Sequence, residues 1–99
     1  MYSYLLEELS KAIGARLLIK FYYHGESHTV ELHLLGRNLQ NEDCLCAWRI
    51  SKEGKKEDGW HCFELSEMRQ TQLLDDRFSK KRPGYDPYNT SMNRIYYRI

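Results

Sequence analysis

The sequence contains little of what membrane and secreted proteins need. Its apolar runs are a few residues long, far short of the roughly 20 that a membrane-spanning helix requires. The N-terminus is polar and acidic and has no signal-peptide pattern. Among 99 residues there are only three cysteines, which cannot all pair within one chain. These absences predict one cytoplasmic domain without membrane contact, in which the cysteines are small buried thiols in a reducing compartment.

Patterns of catalysis and metal binding are also missing. There is no glycine-rich phosphate loop, and the four histidines show no nucleophile–base arrangement. Cys44 and Cys46 lie two residues apart on a predicted strand, which separates their sulfurs by roughly 7 Å, too far for one zinc ion. His61 and Cys62 are expected on opposite faces of their strand. The sequence therefore predicts a protein that is not an enzyme and has neither a cofactor nor a metal.

The chain does contain many aromatic residues, among them eight Tyr and two Trp, which favour strands and contact surfaces. An apolar stripe predicts a helix over 3–13, with Ser3 as N-cap and Gly14 as its end. Alternating residues then predict short strands over 17–23, 29–35, 44–50, 60–65 and 95–99. Residues 51–59 are expected to be a solvated loop, and 68–74 fit a strand or a short helix. The fold class is mainly β with an N-terminal helix (α+β), a small, strongly bent SH3/Sm-like β-barrel over about 17–78.

Three stretches match the motifs of a known domain family: AIGARLLIKFYYHGESHTVELHLLG (12–36), DCLCAWRI (43–50) and GWHCFELSEM (59–68), followed by Phe78. In this order and spacing the chain resembles the WYL domain, an Sm/SH3-like barrel of bacterial transcriptional regulators. The resemblance covers about two thirds of the chain and implies a single domain, 1–99. It also implies a regulatory or ligand-sensing role, in transcription or phage defence, and a nucleic-acid or nucleotide-like ligand.

The same resemblance marks ligand-binding positions. Tyr23 ends the first strand of the motif, and His28 and His61 occupy positions at which the family carries basic residues. Glu64 and Glu67 occupy two further basic positions of the family, and glutamates repel phosphate. The family's Trp-Tyr-Leu triplet is replaced here by Cys44-Leu45-Cys46, and Leu32 replaces its proline. The usual anionic ligand is therefore expected to bind elsewhere.

Charge is distributed unevenly along the chain. Residues 1–76 carry nine Lys/Arg and thirteen Asp/Glu, whereas 77–99 carry six Lys/Arg and only Asp86. Cations interleaved with aromatic rings are typical of surfaces that bind single-stranded nucleic acid. The extension 79–99 supplies these candidate residues: Lys80, Lys81, Arg82, Tyr85, Tyr88 and Arg94.

Two other interpretations of these features remain open. The basic extension could instead neutralise the acidic body, within the chain or across a dimer contact. The apolar stripe of the helix, which includes Leu5 and Leu9, could mediate homodimerisation or docking on a larger regulator. The second functional hypothesis is therefore a protein-interaction module with no nucleic-acid role.

Overall fold

The computed structural model describes residues 4–85 and 92–99. Within these residues a single helix, α1, precedes six strands, and a 3₁₀ turn separates the fourth strand from the fifth. The elements are α1 (Tyr4–Ala15), β1 (Leu17–Tyr23), β2 (Glu26–Asn38), β3 (Asp43–Lys52), β4 (Lys55–Glu64), the 3₁₀ turn (Leu65–Glu67), β5 (Met68–Arg77) and β6 (Met92–Arg98). The prediction of a mainly β chain with an N-terminal helix is confirmed, and the undecided segment 68–74 is a strand.

The strands form one antiparallel sheet in the order β4-β3-β2-β1-β5. The long strand β2 pairs with β1 through 26–31 and with β6 through 34–38, while β3 pairs with it over 28–37. Within 4–85 and 92–99, β4 and β5 end the sheet and do not pair with each other. The sheet is thus open, and these pairings do not close it into the small, strongly bent SH3/Sm-like barrel expected from the sequence.

Helix α1 covers the inner face of the sheet. Leu9, Ala12 and Ile13 are buried against it, which places the predicted apolar stripe in the core. The expectation that Gly14 ends the helix is wrong. The helix continues to Ala15, and Arg16 adopts the left-handed conformation with φ 57° that follows many helices. Ser3, the predicted N-cap, lies outside the described residues.

Two tight hairpin turns set the register of the sheet. His24 and Gly25 connect β1 to β2, and Glu53 and Gly54 connect β3 to β4, all four with positive φ. Two consecutive positive φ values define the type I′ turn, whose twist matches that of paired strands. The predicted loop over 51–59 is therefore wrong, because its charged residues continue β3, form the turn and begin β4. This hairpin lies largely in solvent, so its sequence carries no apolar alternation from which strands could be predicted.

A bulge in β2 changes which residues reach the core. Val30 and Leu32 face inward, the register shifts between Leu32 and Leu34, and Leu35 then takes the inward position. Leu34, expected on the same side as Val30 and Leu32, is buried outside the inner cluster. The inner core combines α1 and these β2 residues with side chains from four further strands and the 3₁₀ turn: Ile19, Phe21, Leu45, Ala47, Phe63, Leu65 and Met68.

Candidate functional site: a basic cleft on the outer face of the sheet

The segment after β5 crosses the outer face of the sheet, and we call residues 78–85 the strap. Its residues Arg82–Tyr85 form a β-turn in which the Tyr85 N–H donates to the Arg82 carbonyl at 3.3 Å. Pro83 occupies the second position and Gly84, with φ 84°, the third, which is the pattern of a type II turn. The Pro83-Gly84 sequence accounts for this turn, which directs both Arg82 and Tyr85 onto the sheet.

Arg82 is held by a bidentate ion pair. Its Nε and Nη2 donate to the two carboxylate oxygens of Glu31 at 2.6 and 2.9 Å. The Glu31 side chain is only 8% exposed, whereas that of Arg82 is 40% exposed. The guanidinium also lies over the ring of Trp48, 5.5 Å from its centroid. The carboxylate, through this hydrogen bonding, raises the pKa of Arg82 and keeps it charged.

His33 joins the strap to the sheet through both ring nitrogens. Nδ1 lies 2.8 Å from the Glu31 carbonyl, which can only accept, so Nδ1 carries the proton. Nε2 therefore accepts from the Arg82 N–H at 3.2 Å. Burial lowers the pKa of this imidazole, and Arg82 and Arg16 add to the effect, while the Glu31 carbonyl and charge oppose it. His33 is thus a neutral anchor of fixed tautomer.

Aromatic contacts complete the attachment of the strap. The Trp60 Nε1–H donates to the Pro83 carbonyl at 2.7 Å, and the Tyr85 ring stacks on Trp60 at 6.0 Å. The Tyr85 hydroxyl lies 3.3 Å from the main-chain oxygen of His33 and 3.2 Å from that of Ile99, and its one hydrogen is donated to either of them. Tyr85, predicted as a base-stacking residue, thus packs one face against the protein itself. The interpretation in which the extension packs back on the acidic body describes Arg82 and Tyr85.

Three other cations of this region lack a carboxylate partner among the described residues, and one of them, Lys81, lies over the Tyr85 ring, 5.9 Å from its centroid. Arg77, Lys80 and Lys81 are exposed, and none makes an ion pair with the residues that the structure describes. They line an open cleft of about 530 Å³ between the end of β5 and the strap. Arg16 positions the cleft wall, because its Nη1 donates to the Ser79 carbonyl at 3.4 Å. The Glu31 carboxylate at the cleft is already neutralised by Arg82, which leaves the cleft strongly positive.

Tyr23, His28 and His61 converge elsewhere, around the ring of Phe63. The ring centroids of these three residues lie 4.9, 5.2 and 6.1 Å from that of Phe63. His28 is 4% exposed, and its Nδ1 has no hydrogen-bond partner within the described chain. Burial first, then the charge of Arg49, lowers the pKa of both His28 and His61. Both imidazoles are therefore neutral near pH 7 and add no charge for a phosphate.

The two groups of candidate residues lie on opposite faces of the sheet. His61 pairs with Ala47, a residue of the inner core, whereas Trp60 pairs with Trp48 on the face that carries the strap. Arg94 lies on β6, exposed, over the ring of Tyr96 at 5.7 Å. Tyr88 falls outside the described residues. The structure thus brings Lys80, Lys81 and Arg82 together, and separately Tyr23, His28 and His61.

Glu64 and Glu67, which the sequence resemblance places at ligand-binding positions, lie near one another. The Glu42 carboxylate raises the pKa of Glu64, with smaller contributions from burial and from Glu67. The Glu67 Oε1 lies 3.3 Å from the His24 Nε2, and both side chains are exposed. This corner of the molecule is acidic, so an anion would not bind there.

The cysteines differ from the sequence expectation. Cys46 and Cys62 form a disulfide, so the prediction of three reduced thiols is wrong for this pair. The reason is register: the two residues face each other across β3 and β4, with Cα atoms 4.1 Å apart. Cys44 is a buried free thiol as expected, and burial raises its pKa to about 11.

Sequence reasoning missed two residues that line the cleft, Glu31 and Arg77, and two that hold the strap, His33 and Trp60. Glu31, His33 and Trp60 were assigned to strands without a role, and Arg77 was counted only as the first charge of the basic region. A single glutamate and a histidine within the otherwise apolar stretch VELHLL were the available signal, because buried polar groups need partners.

No group of three or more metal-ligating side chains occurs in the described part of the chain, and none of its helices could cross a bilayer. Neither a protein-family model, nor a curated protein, nor a solved structure matches this chain.

Proposed function

We propose that this chain is a non-catalytic, WYL-like regulatory accessory module that binds single-stranded nucleic acid by its phosphates. The proposed site is the cleft beside the strap, and the sheet is proposed to be of the SH3/Sm-like type. The observation that carries the proposal is a set of three exposed cations around one cleft, Arg77, Lys80 and Lys81, which make no ion pair with a carboxylate of residues 4–85 or 92–99.

The strap gives these cations a fixed position. Lys80 and Lys81 precede Arg82, whose guanidinium and backbone N–H are both bound to the sheet. Phe78, on the other side, is buried and stacks on His33 at 5.0 Å. A segment fixed at both ends loses little conformational entropy when a phosphate binds, which favours affinity. Phosphate contacts of this kind supply sequence-independent binding.

The inner aromatic cluster has a structural role in the proposal and does not bind the phosphates. Tyr23, His28 and Phe63 are packed ring against ring, and the nearby imidazoles are neutral. Their contribution is therefore to order this end of the inner core, while the charged contacts come from the outer cleft. This division agrees with the family-derived expectation that the ligand of this chain binds away from Glu64 and Glu67.

Binding of a fluorescent single-stranded oligonucleotide, followed by anisotropy at two salt concentrations, tests the proposal. Replacing Lys80 and Lys81 with Gln should lower the affinity by about tenfold and reduce the salt slope by about 1.4, since each phosphate contact on a single strand contributes about 0.7. The matched control replaces Lys55 and Lys56, two exposed lysines at the β3–β4 hairpin, with Gln. Equal losses in both variants, or no salt-sensitive binding by the natural sequence, would contradict the proposal.

The alternative is a protein-interaction module with no nucleic-acid role. The observation in its favour is the exposed aromatic surface, with Tyr4 75% and Tyr97 50% exposed. The apolar stripe of α1 cannot serve both the core and a partner, because Leu9 is completely buried. Light scattering of a Tyr97→Ser variant and of the natural sequence distinguishes the two, since only an assembly role predicts a change of mass.

A further inference from the structure

The two sulfurs of the disulfide differ in accessibility. Cys46 is 5% exposed, whereas Cys62 lies on the solvent side of β4. A pocket of about 330 Å³ opens beside Cys62, and its lining includes Cys44, Met92 and Glu64 but not Cys46. An external nucleophile therefore has room to reach one sulfur of the bond and not the other.

The remaining thiol in the pocket does not compete for the disulfide. Cys44 is buried, with its Sγ 3.6 Å from the Met92 Sδ. Burial, together with the charges of Asp43, Glu64 and Glu42, raises its pKa to about 11. Disulfide exchange requires a thiolate, so the protonated Cys44 leaves the Cys46–Cys62 bond in place.

The pocket also has a defined charge. Glu64 and Asn38 both line it, and Asn38 donates to Glu42, whose carboxylate raises the pKa of Glu64. Two neighbouring carboxylates attract cations and repel anions within about a Debye length. A thiol with a positive group is therefore favoured over one with a carboxylate.

We propose that this pocket is a thiol–disulfide exchange site at which positively charged thiols modify Cys62. Such thiols are small aminothiols or cysteine residues flanked by basic residues. The incoming thiolate attacks the Cys62 Sγ, forms a mixed disulfide with it and breaks the Cys46–Cys62 bond. The electron pair goes to the Cys46 Sγ, which takes a proton from water. A second thiol can then attack the mixed disulfide, release Cys62 and leave as the oxidised dimer of the small thiol.

The fold is built to survive this modification. The disulfide joins residues 16 positions apart that already face each other within one hairpin, closed by the turn at Glu53 and Gly54. Opening the bond removes no strand pairing of β3 or β4. The modification thus alters a surface beside β6 and not the connectivity of the sheet.

The experiment compares cysteamine with 3-mercaptopropionate on the oxidised full chain. Rates of disulfide opening, followed by alkylation and mass spectrometry, are expressed per thiolate and relative to a small neutral disulfide. Cysteamine should react about fivefold faster at low ionic strength, and the preference should approach one at high salt. Peptide mapping of early time points should place the adduct on Cys62. An adduct on Cys46, or equal relative rates at low salt, would overturn the proposal.

Variants separate the pocket from general surface charge. Glu64→Gln should remove most of the preference for cysteamine, whereas Glu7→Gln, an exposed change on α1, should leave it unchanged. Cys44→Ser should not alter the rate of opening. A rate that falls in this variant would assign the attack to Cys44 and exclude the external thiol as the first nucleophile.

Discussion

The carboxylate of Glu31 on β2 and the guanidinium of Arg82 on the strap lie 2.6 Å apart at their closest atoms, across 51 positions of sequence. The pair combines a buried acid with a half-exposed base, and it decides where the basic extension lies. Because Arg82 neutralises Glu31, the remaining cations of the cleft stay available to an anion.

Replacing Arg82 with Met should lower the free energy of unfolding by about 2 kcal/mol, since the buried Glu31 carboxylate loses its partner. Urea unfolding followed by circular dichroism measures this. Arg94→Met is the matched control, because Arg94 is exposed and its change should cost less than about 0.5 kcal/mol. In the background of Glu31→Gln the cost of Arg82→Met should shrink. An unchanged cost there would show that the ion pair does not hold the strap.

Stability should fall as the pH is lowered from 7.5 towards 5. In the folded protein, burial holds the pKa of His33 below about 6.5, the value for histidine in an unfolded chain. As the pH falls, the unfolded chain is therefore protonated at this residue before the folded protein is. The neutral form of His33 contributes stability that is complete above pH 6.5 and is lost as the pH falls towards the folded pKa. The groups around the ring are Glu31, Arg82 and Arg16.

Urea unfolding at pH 7.5 and 5.5 measures this loss. The pKa values of His28 and His61 are lowered as well, so these residues also make the protein less stable at low pH. The His33→Gln variant measures the part of this pH dependence that comes from His33. The glutamine should reduce the difference between the two pH values. Trp60 fluorescence adds a local signal, because Trp60 donates to the strap at Pro83. An undiminished pH dependence in the variant would show that His33 does not titrate as proposed.

Gly84→Ala should weaken the attachment of the strap. Gly84 has φ 84°, and an added Cβ would lie 3.2 Å from the Trp60 Nε1 that binds Pro83. The backbone conformation alone costs about 1 kcal/mol for alanine. We expect Trp60 fluorescence to shift towards that of an exposed indole and the oligonucleotide affinity to decrease. A shift in fluorescence with unchanged affinity would show that the conformation of the strap does not affect oligonucleotide binding.

Strand periodicity was sufficient to predict most of the sheet. The alternation in Leu17–Tyr23 gave the bounds of β1 correctly, because each inward residue there is also apolar. The β3–β4 hairpin was missed because Lys55–Asp58 lies in solvent on both faces, so its residues carry no apolar alternation. The bulge in β2 was also invisible, since residues on both of its faces are buried and local patterns do not distinguish them.

The cleft depends on contacts that are distant in sequence. Lys80, Lys81 and Arg82 were found from charge alone, but charge could not show that Arg82 binds Glu31 while Lys80 and Lys81 face solvent. The disulfide likewise follows from the register between β3 and β4, which no spacing rule for Cys46 and Cys62 contains. Local patterns of charge and spacing therefore do not contain the long-range contacts and strand register that form the cleft and the disulfide.

Two glycines offer an opposed pair of substitutions that tests the packing of β6. A Cβ at Gly36 would collide with the Arg94 carbonyl and lie 3.2 Å from the Met92 Sδ. Gly36→Ala should therefore separate β6 from β2 and lower the free energy of unfolding by about 2 kcal/mol. At Gly14, inside α1, an added Cβ meets nothing within 4 Å. Gly14→Ala should raise the free energy of unfolding by about 0.8 kcal/mol, because alanine favours the helix.

Thermal and urea unfolding of both variants measures these opposite effects. Amide hydrogen exchange of Met92–Arg98 should accelerate in Gly36→Ala and remain unchanged in Gly14→Ala, since only the first position contacts β6. If Gly36→Ala unfolds at the same denaturant concentration as the natural sequence, β6 does not lie against Gly36 as described. The opposite signs make the pair informative, because a general loss of packing would lower both values.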